Sequence, residues 1–183
     1  MAALLVAALV QVGDRTPWLT AVLADRYRPA PVLAGALLAL TSVYAAGAAA
    51  GAAIAPLFTP AVKQLLLGLS LLLAAGGLPF APKPPDRLSG WRIGAFPTAL
   101  FGIAILAFGD ATQLVAAMLA ARSPVPWLAA VGATLGAIAV VGTAALLGEA
   151  GWLRLPLRPV RWSAGAVLAI AGVVLVLQGA RLV

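Results

Sequence analysis

The sequence predicts an all-α membrane protein: six transmembrane helices arranged as two inverted three-helix repeats. Three observations lead there. Apolar residues make up 63% of the 183 residues and charged residues 9%, where a soluble globular domain carries about 25% charged residues; mean hydropathy is +1.08. Six apolar stretches each supply the roughly 20 residues that a bilayer span needs. A short polar string also occurs twice, deep inside two of these stretches: Gly13-Asp14-Arg15-Thr16 and Gly109-Asp110-Ala111-Thr112.

The first stretch, 2–24, begins at Met1 without a basic leader and holds Gln11, Asp14 and Arg15. It reads as a span rather than a cleaved signal. Asp25-Arg26-Tyr27-Arg28-Pro29 ends it, and the second and third spans, 32–55 and 60–80, are punctuated by Pro56 and Pro60. A polar linker, 81–92, carries Pro82, Lys83, Pro84, Pro85, Asp86 and Arg87 and divides the chain into 1–80 and 93–183. Spans four, five and six cover 93–121, 126–149 and 160–181, separated by Ser123-Pro124 and by Gly151 to Arg161. Proline cannot continue a helix, so these breaks have a mechanism. Lipid-exposed backbone must satisfy its own hydrogen bonds, so every span is expected to be helical. Trp91, Trp127, Trp152 and Trp162 fall at span ends, where indole prefers the interface; Trp18 does not.

Twelve basic residues stand against five acidic ones, a balance that nucleic-acid-binding proteins share. They are scattered singly between apolar runs, however, as topology signals are, and no nucleic-acid partner is expected. The loops after spans one, three and five hold Arg26, Arg28, Lys83, Arg87, Arg92, Arg154, Arg158 and Arg161; the opposite side holds Lys63, Arg122 and Arg181. Eight against three places the first group in the cytoplasm. There is no Cys and no His, which excludes thiolate and imidazole sites. A side-chain metal site must then use oxygen, which suits hard ions such as calcium, magnesium or manganese. No nucleophile–base pair or phosphate loop is visible, so the chain does not read as an enzyme.

The two strings coincide when the chain is shifted by 109 − 13 = 96 residues, which also brings Arg26 onto Arg122. Ala and Leu matches carry little weight in such a sequence, but the shared Gly-Asp-x-Thr does. Three spans per half is an odd number, so the halves have opposite orientation. Inverted repeats with a polar site near the midplane are the architecture of secondary transporters.

A carboxylate in mid-membrane costs roughly 3 kcal/mol on insertion scales and so usually has a task or a partner. On a continuous helix Gln11 would share a face with Asp14 and Arg15, and Asp110 with Gln113. Pro17 would free the carbonyl of Gly13 as a cation ligand beside Asp14. Gly13 and Gly109 would let the two helices approach across the pseudo-symmetry axis. The competing expectation is structural: Asp14 neutralises Arg15, or each Asp hydrogen-bonds a neighbouring helix. Glu149 and Asp25, at span ends, read as solvated or snorkelling. Gln64 and Gln178 read as interhelical hydrogen-bonders, and Gly47/Gly51 and Gly132/Gly136 as close-packing positions.

These strings resemble the signature of the transmembrane protein 165/Gdt family of Golgi and bacterial cation exchangers, within the lysine-exporter-like superfamily. The family carries two copies of Glu-(apolar)-Gly-Asp-(Lys/Arg)-(Thr/Ser). Here they read Gln11-Val12-Gly13-Asp14-Arg15-Thr16 and Ala107-Phe108-Gly109-Asp110-Ala111-Thr112, the second continuing as Gln113-Leu114. The resemblance covers the whole chain in length, span number and repeat. It implies a divalent cation (manganese or calcium) exchanger or exporter coupled to protons, in the bacterial inner membrane. The metal would be cargo rather than a resident cofactor, and the partners are the bilayer, the cation and the proton.

On this reading Asp14 and Asp110 bind the cation, with Gln11, Thr16, Thr112 and Gln113 as neutral oxygen ligands and Arg15 as an internal counter-charge. The departures are Gln11 and Ala107 in place of both Glu residues, and Ala111 in place of the second basic one. They leave a local charge of −1 where the full signature gives −2, which weakens divalent binding. Two other readings fit the same residues: an exporter of another small solute, and a family member that no longer transports.

Overall fold

Ala, Leu and Val dominate the apolar stretches. Ala and Leu are strong helix formers, and a helix closes its own backbone bonds where no water can. The computed structural model describes residues 1–180 and is accordingly helical, with no strand among them. Arg181 and the end of the sixth expected span lie outside the described residues. The elements are α1 (Ala2–Gln11), α2 (Thr16–Arg26), α3 (Pro29–Ile54), α4 (Pro60–Gly77), α5 (Ala95–Ala107), α6 (Ala111–Arg122), α7 (Trp127–Arg154) and α8 (Leu157–Gly179).

Four of these, α3, α4, α7 and α8, are long and apolar enough to cross a membrane alone, and α5 with α6 adds a fifth candidate as a pair bent by 70°. The expectation of a continuous helix through each polar string is therefore corrected. Both strings interrupt the helix they were expected to sit in. Local chemistry explains this. In the second string Gly109 takes a left-handed φ of +78°, which glycine adopts at no steric cost. Asp110 then caps α6, its Oδ1 accepting the Gln113 N–H at 2.6 Å. In the first string Pro17 stands in the first turn of α2, a position where its missing N–H removes no bond. It opens a new helix rather than freeing the Gly13 carbonyl within an old one.

The long helices α3 and α7 pack against each other at the centre. The broken pairs wrap them: α1 and α2 lie on α7, and α5 and α6 lie on α3. Helices α4 and α8 form a pair of their own, and α4 also meets α6. Within lipid the helices gain little from burying apolar surface, so small residues that permit close contact hold them together. A Cβ on Gly51 would collide with the carbonyl of Ala117 on α6, and one on Gly136 with the carbonyl of Leu4 on α1. Gly68 and Gly172 meet in the same way between α4 and α8. That pair is also tied by Gln64 Nε2 donating to Gln178 Oε1 at 2.6 Å.

The linker is fastened to the ends of α2 and α7. The Arg26 guanidinium donates to the carbonyls of Leu88, Ser89 and Trp91 at 3.0 to 3.4 Å. Arg87 pairs with Glu149 at 2.6 Å. Glu149 in turn follows Gly148, whose φ of +69° breaks α7, and the Glu149 N–H donates to Asp25 Oδ2 at 2.8 Å. Glu149, expected to be solvated or snorkelling, is thus half-buried and engaged with protein groups, whereas Asp25 is exposed as expected while also accepting the Glu149 N–H. Trp152 is also corrected: it is buried against Ala21 and Ala144 rather than lying free at an interface.

Candidate functional site

The two helix breaks converge. Asp14 and Asp110 line a single cavity of about 150 Å³, together with Val10, Gly13, Leu73, Ala74, Gly77, Leu78, Ala111 and Thr112. Its walls come from the α1–α2 break, the α5–α6 break and the end of α4. Asp110 also borders a second, mostly apolar recess of about 450 Å³ between α3 and α6, beside Gly47 and Gln113.

The two carboxylates are held differently. Asp14 Oδ2 accepts from the Thr16 N–H at 3.4 Å, from the Thr16 hydroxyl and from Gln11 Nε2 at 3.5 Å. Asp110 uses Oδ1 to cap α6, while its Oδ2 is buried with no hydrogen-bond partner. The hydroxyl of Thr112, on a residue buried to 2% exposure, is likewise without a partner. Unsatisfied buried oxygens are rare in folded proteins and call for an explanation. Here two of them belong to residues on the wall of the cavity that holds both acids.

The supporting residues divide. Gln11 is fully buried; its amide nitrogen faces Asp14 and its Oε1 accepts the Tyr44 hydroxyl at 3.3 Å. Gln113, expected as a ligand, instead staples the second break: Oε1 accepts the Gly109 N–H at 2.6 Å and Nε2 donates to the Val43 carbonyl at 3.0 Å. Arg15 is exposed and makes no ion pair with Asp14 among the described residues. That corrects both the internal counter-charge and the neutralised pair. Gly13 and Gly109 do not bring two helices together. Gly13 abuts the Leu78 side chain, and space is open around Gly109, which is needed for its backbone angle.

Tyr44 is a buried polar residue near both acids that the sequence reading did not single out. It is fully buried on α3, bonded to Gln11, and lies within electrostatic reach of both Asp14 and Asp110. A signal existed: it is one of two tyrosines in the chain and stands in the middle of an apolar span. Among the described residues no cluster of three or more acidic, His or Cys side chains gathers, so a cation here would meet two carboxylates and neutral oxygens.

Apolar helices long enough to span a membrane, with two helix breaks that meet at a carboxylate-bearing pocket, fit a membrane transporter of cations, with oxygen donors that suit hard ions. The chain belongs to the family of the divalent cation/proton antiporter GDT1, whose family model matches residues 1–81 and 95–182. It is similar to a protein of Vibrio cholerae serotype O1 named "Putative manganese exporter", with 31% identity over 172 residues, 90% of this chain and 84% of the relative. No solved structure matches the chain.

Proposed function

We propose that the protein exports a divalent cation, manganese in first place, in exchange for protons, and that Asp14 and Asp110 bind the cation between them. The observation that carries this reading is the shared cavity with its two acids and its partnerless oxygens. At roughly 30 Å³ per water, about 150 Å³ holds an ion with a few waters. It lies below the ~300 Å³ at which pockets for organic ligands begin, although the mostly apolar recess that Asp110 also borders, at about 450 Å³, does not. The exposed, unpaired Arg15 disfavours the alternative of an inert centre in which Asp14 is neutralised. Manganese is preferred over calcium because the Vibrio relative bears that name.

The same reading takes α1 with α2, and α5 with α6, as broken spans, which gives six in two inverted repeats, 1–80 and 93–183, joined by 81–92. Packing supports it: α1 and α2 lie on α7 as α5 and α6 lie on α3. The pairs are similar though offset by one residue: a Cβ on Gly35 would stand 3.0 Å from Ala99 and one on Gly132 would stand 3.0 Å from Ala3, the two glycines lying 132 − 35 = 97 residues apart. Ala3 and Ala99 are 96 residues apart, the same shift that superposes the polar strings. The family model also matches the chain in two segments that flank the linker. With the arginine-rich loops after the first, third and fifth spans in the cytoplasm of a bacterial inner membrane, export would carry the cation outward as one half rocks against the other.

The test is expression of the wild type, Asp14→Asn and Asp110→Asn in a manganese-sensitive bacterial host. Wild-type protein should lower cell manganese and restore growth, and each variant should lose most of that effect. Unchanged cell manganese on wild-type expression would overturn the reading.

A further inference from the structure

At the end of the bundle that the arginine count assigns to the cytoplasm, a cavity of about 320 Å³ shares no lining residue with either recess that Asp110 borders. Trp18 on α2, Pro82 of the linker, Trp152 near the end of α7, and Arg158 and Arg161 on the first turns of α8 line it. The two arginines, three residues apart, share a face of α8. No acidic residue lines this cavity, and neither arginine makes an ion pair among the described residues. Arg161 is half-buried, and its Nε donates to the Val12 carbonyl at 3.4 Å. That bond leaves the two terminal nitrogens of the guanidinium, the fork that grips a phosphate, without a partner among the described residues. The Trp18 N–H reaches Glu149 at 3.4 Å, but Glu149 is paired with Arg87 and does not line the cavity. Leu153 and Leu155 also line it, and both are exposed.

We propose that this cavity binds the headgroup of an anionic phospholipid, with Arg158 and Arg161 on its phosphate and the exposed leucines against its acyl chains. Charge selects the headgroup. The indoles of Trp18 and Trp152 alone would suit a choline by cation–π contact, but two guanidiniums beside them repel a quaternary ammonium. Polarity selects a lipid over a free phosphate ion: exposed Leu153 and Leu155 adjoin the arginines, and an amphiphile covers both kinds of surface where an ion covers one. Size agrees, since pockets for small organic molecules begin near ~300 Å³. So does position, for the cytoplasmic leaflet carries anionic lipid and basic pockets between helices on that side take its headgroups. The proposal rests on the chain's place in a membrane and not on the identity of its cargo.

Purified protein in detergent is titrated with dioleoyl-phosphatidylglycerol or dioleoyl-phosphatidylcholine, and the lipid retained is measured by native mass spectrometry. Wild-type protein should prefer phosphatidylglycerol by about tenfold or more, as expected for two arginines acting on one anionic headgroup. Arg158→Gln combined with Arg161→Gln should bring the two lipids within about threefold of each other. Arg158 is exposed and makes no hydrogen bond among the described residues, so Arg158→Gln alone spares the packing and should lose about threefold or more of the preference. That single variant decides the matter if the double one does not fold. Arg28→Gln combined with Arg92→Gln, two exposed positions outside the cavity, should keep the wild-type preference. A large excess of inorganic phosphate should displace little of the bound lipid. Equal retention of both lipids, an undiminished preference in Arg158→Gln, an equal loss in the Arg28 and Arg92 control, or ready displacement by inorganic phosphate would each overturn the proposal.

Discussion

The Tyr44 hydroxyl donates to Oε1 of Gln11 at 3.3 Å, and both side chains are fully buried. This bond fastens the centre of α3 to the end of α1, one turn of chain before Asp14. The Gln11 amide works in both directions, accepting from Tyr44 and offering its nitrogen to Asp14 at 3.5 Å. A glutamate in its place could only accept when ionised.

Gln11→Glu is therefore expected to change the pocket's charge as well as its hydrogen bonding. It adds a carboxylate beside Asp14, and affinity at oxygen sites rises with ligand charge. Mn²⁺ affinity should tighten by roughly tenfold, as measured by the half-saturating Mn²⁺ concentration for transport. An unchanged or weaker value would show that Gln11 does not face the cation.

Tyr44→Phe should destabilise the protein in detergent, because a buried acceptor left without its donor costs about 1–3 kcal/mol. Combining it with Gln11→Leu should recover part of that loss, since removing both partners is far cheaper than removing one. Thermal unfolding followed by intrinsic tryptophan fluorescence reads the cycle. Simple additivity of the two losses would contradict the assigned bond.

Position 109 should be ranked by backbone preference and not by size. Space is open around Gly109, but its φ is +78°, a region where Asn is several-fold enriched and β-branched residues are outliers. Gly109→Asn should keep most of the wild-type transport rate, while Gly109→Val should lose stability by about 1–2 kcal/mol and transport with it. Equal tolerance of both would show that the bend is not set there.

At the linker, Asp25→Ala should cost more stability than Arg87→Ala. Asp25 accepts the Glu149 N–H at the break in α7, a capping role worth about 1 kcal/mol. Arg87 is largely exposed in its pair with Glu149, and such pairs contribute at most about 1 kcal/mol and less in salt. Thermal unfolding at low and high ionic strength separates the two, with salt sensitivity expected from the Arg87 pair alone.

Much of this was legible in the sequence. The long apolar spans, the proline boundaries, the Gln64–Gln178 link and the close-packing faces at Gly51 and Gly136 follow from composition and spacing, which depend on local chemistry. The meeting of Asp14 with Asp110 was readable from the duplicated string. What misled was the assumption of an unbroken helix: Gly-Asp reads as an interruption only once Gly109 is seen with a left-handed backbone and Asp110 as a cap. From that came the wrong expectations for Gln113, drawn onto Gly109 and Val43 by the bend, and for Arg15, which turns outward. Tyr44 reaches Gln11 from 33 residues away, and Asp25 meets Glu149 across 124; no local periodicity encodes such tertiary pairings.

The central claim is that two acids, one from each break, jointly carry a divalent cation against protons. Its most direct test is purified protein in liposomes with Mn²⁺ inside and a proton-sensitive dye in the lumen. Wild-type protein should couple Mn²⁺ efflux to acidification of the lumen, and Asp14→Asn and Asp110→Asn should each abolish both signals together. Undiminished Mn²⁺-coupled proton movement in either variant would contradict the shared pocket.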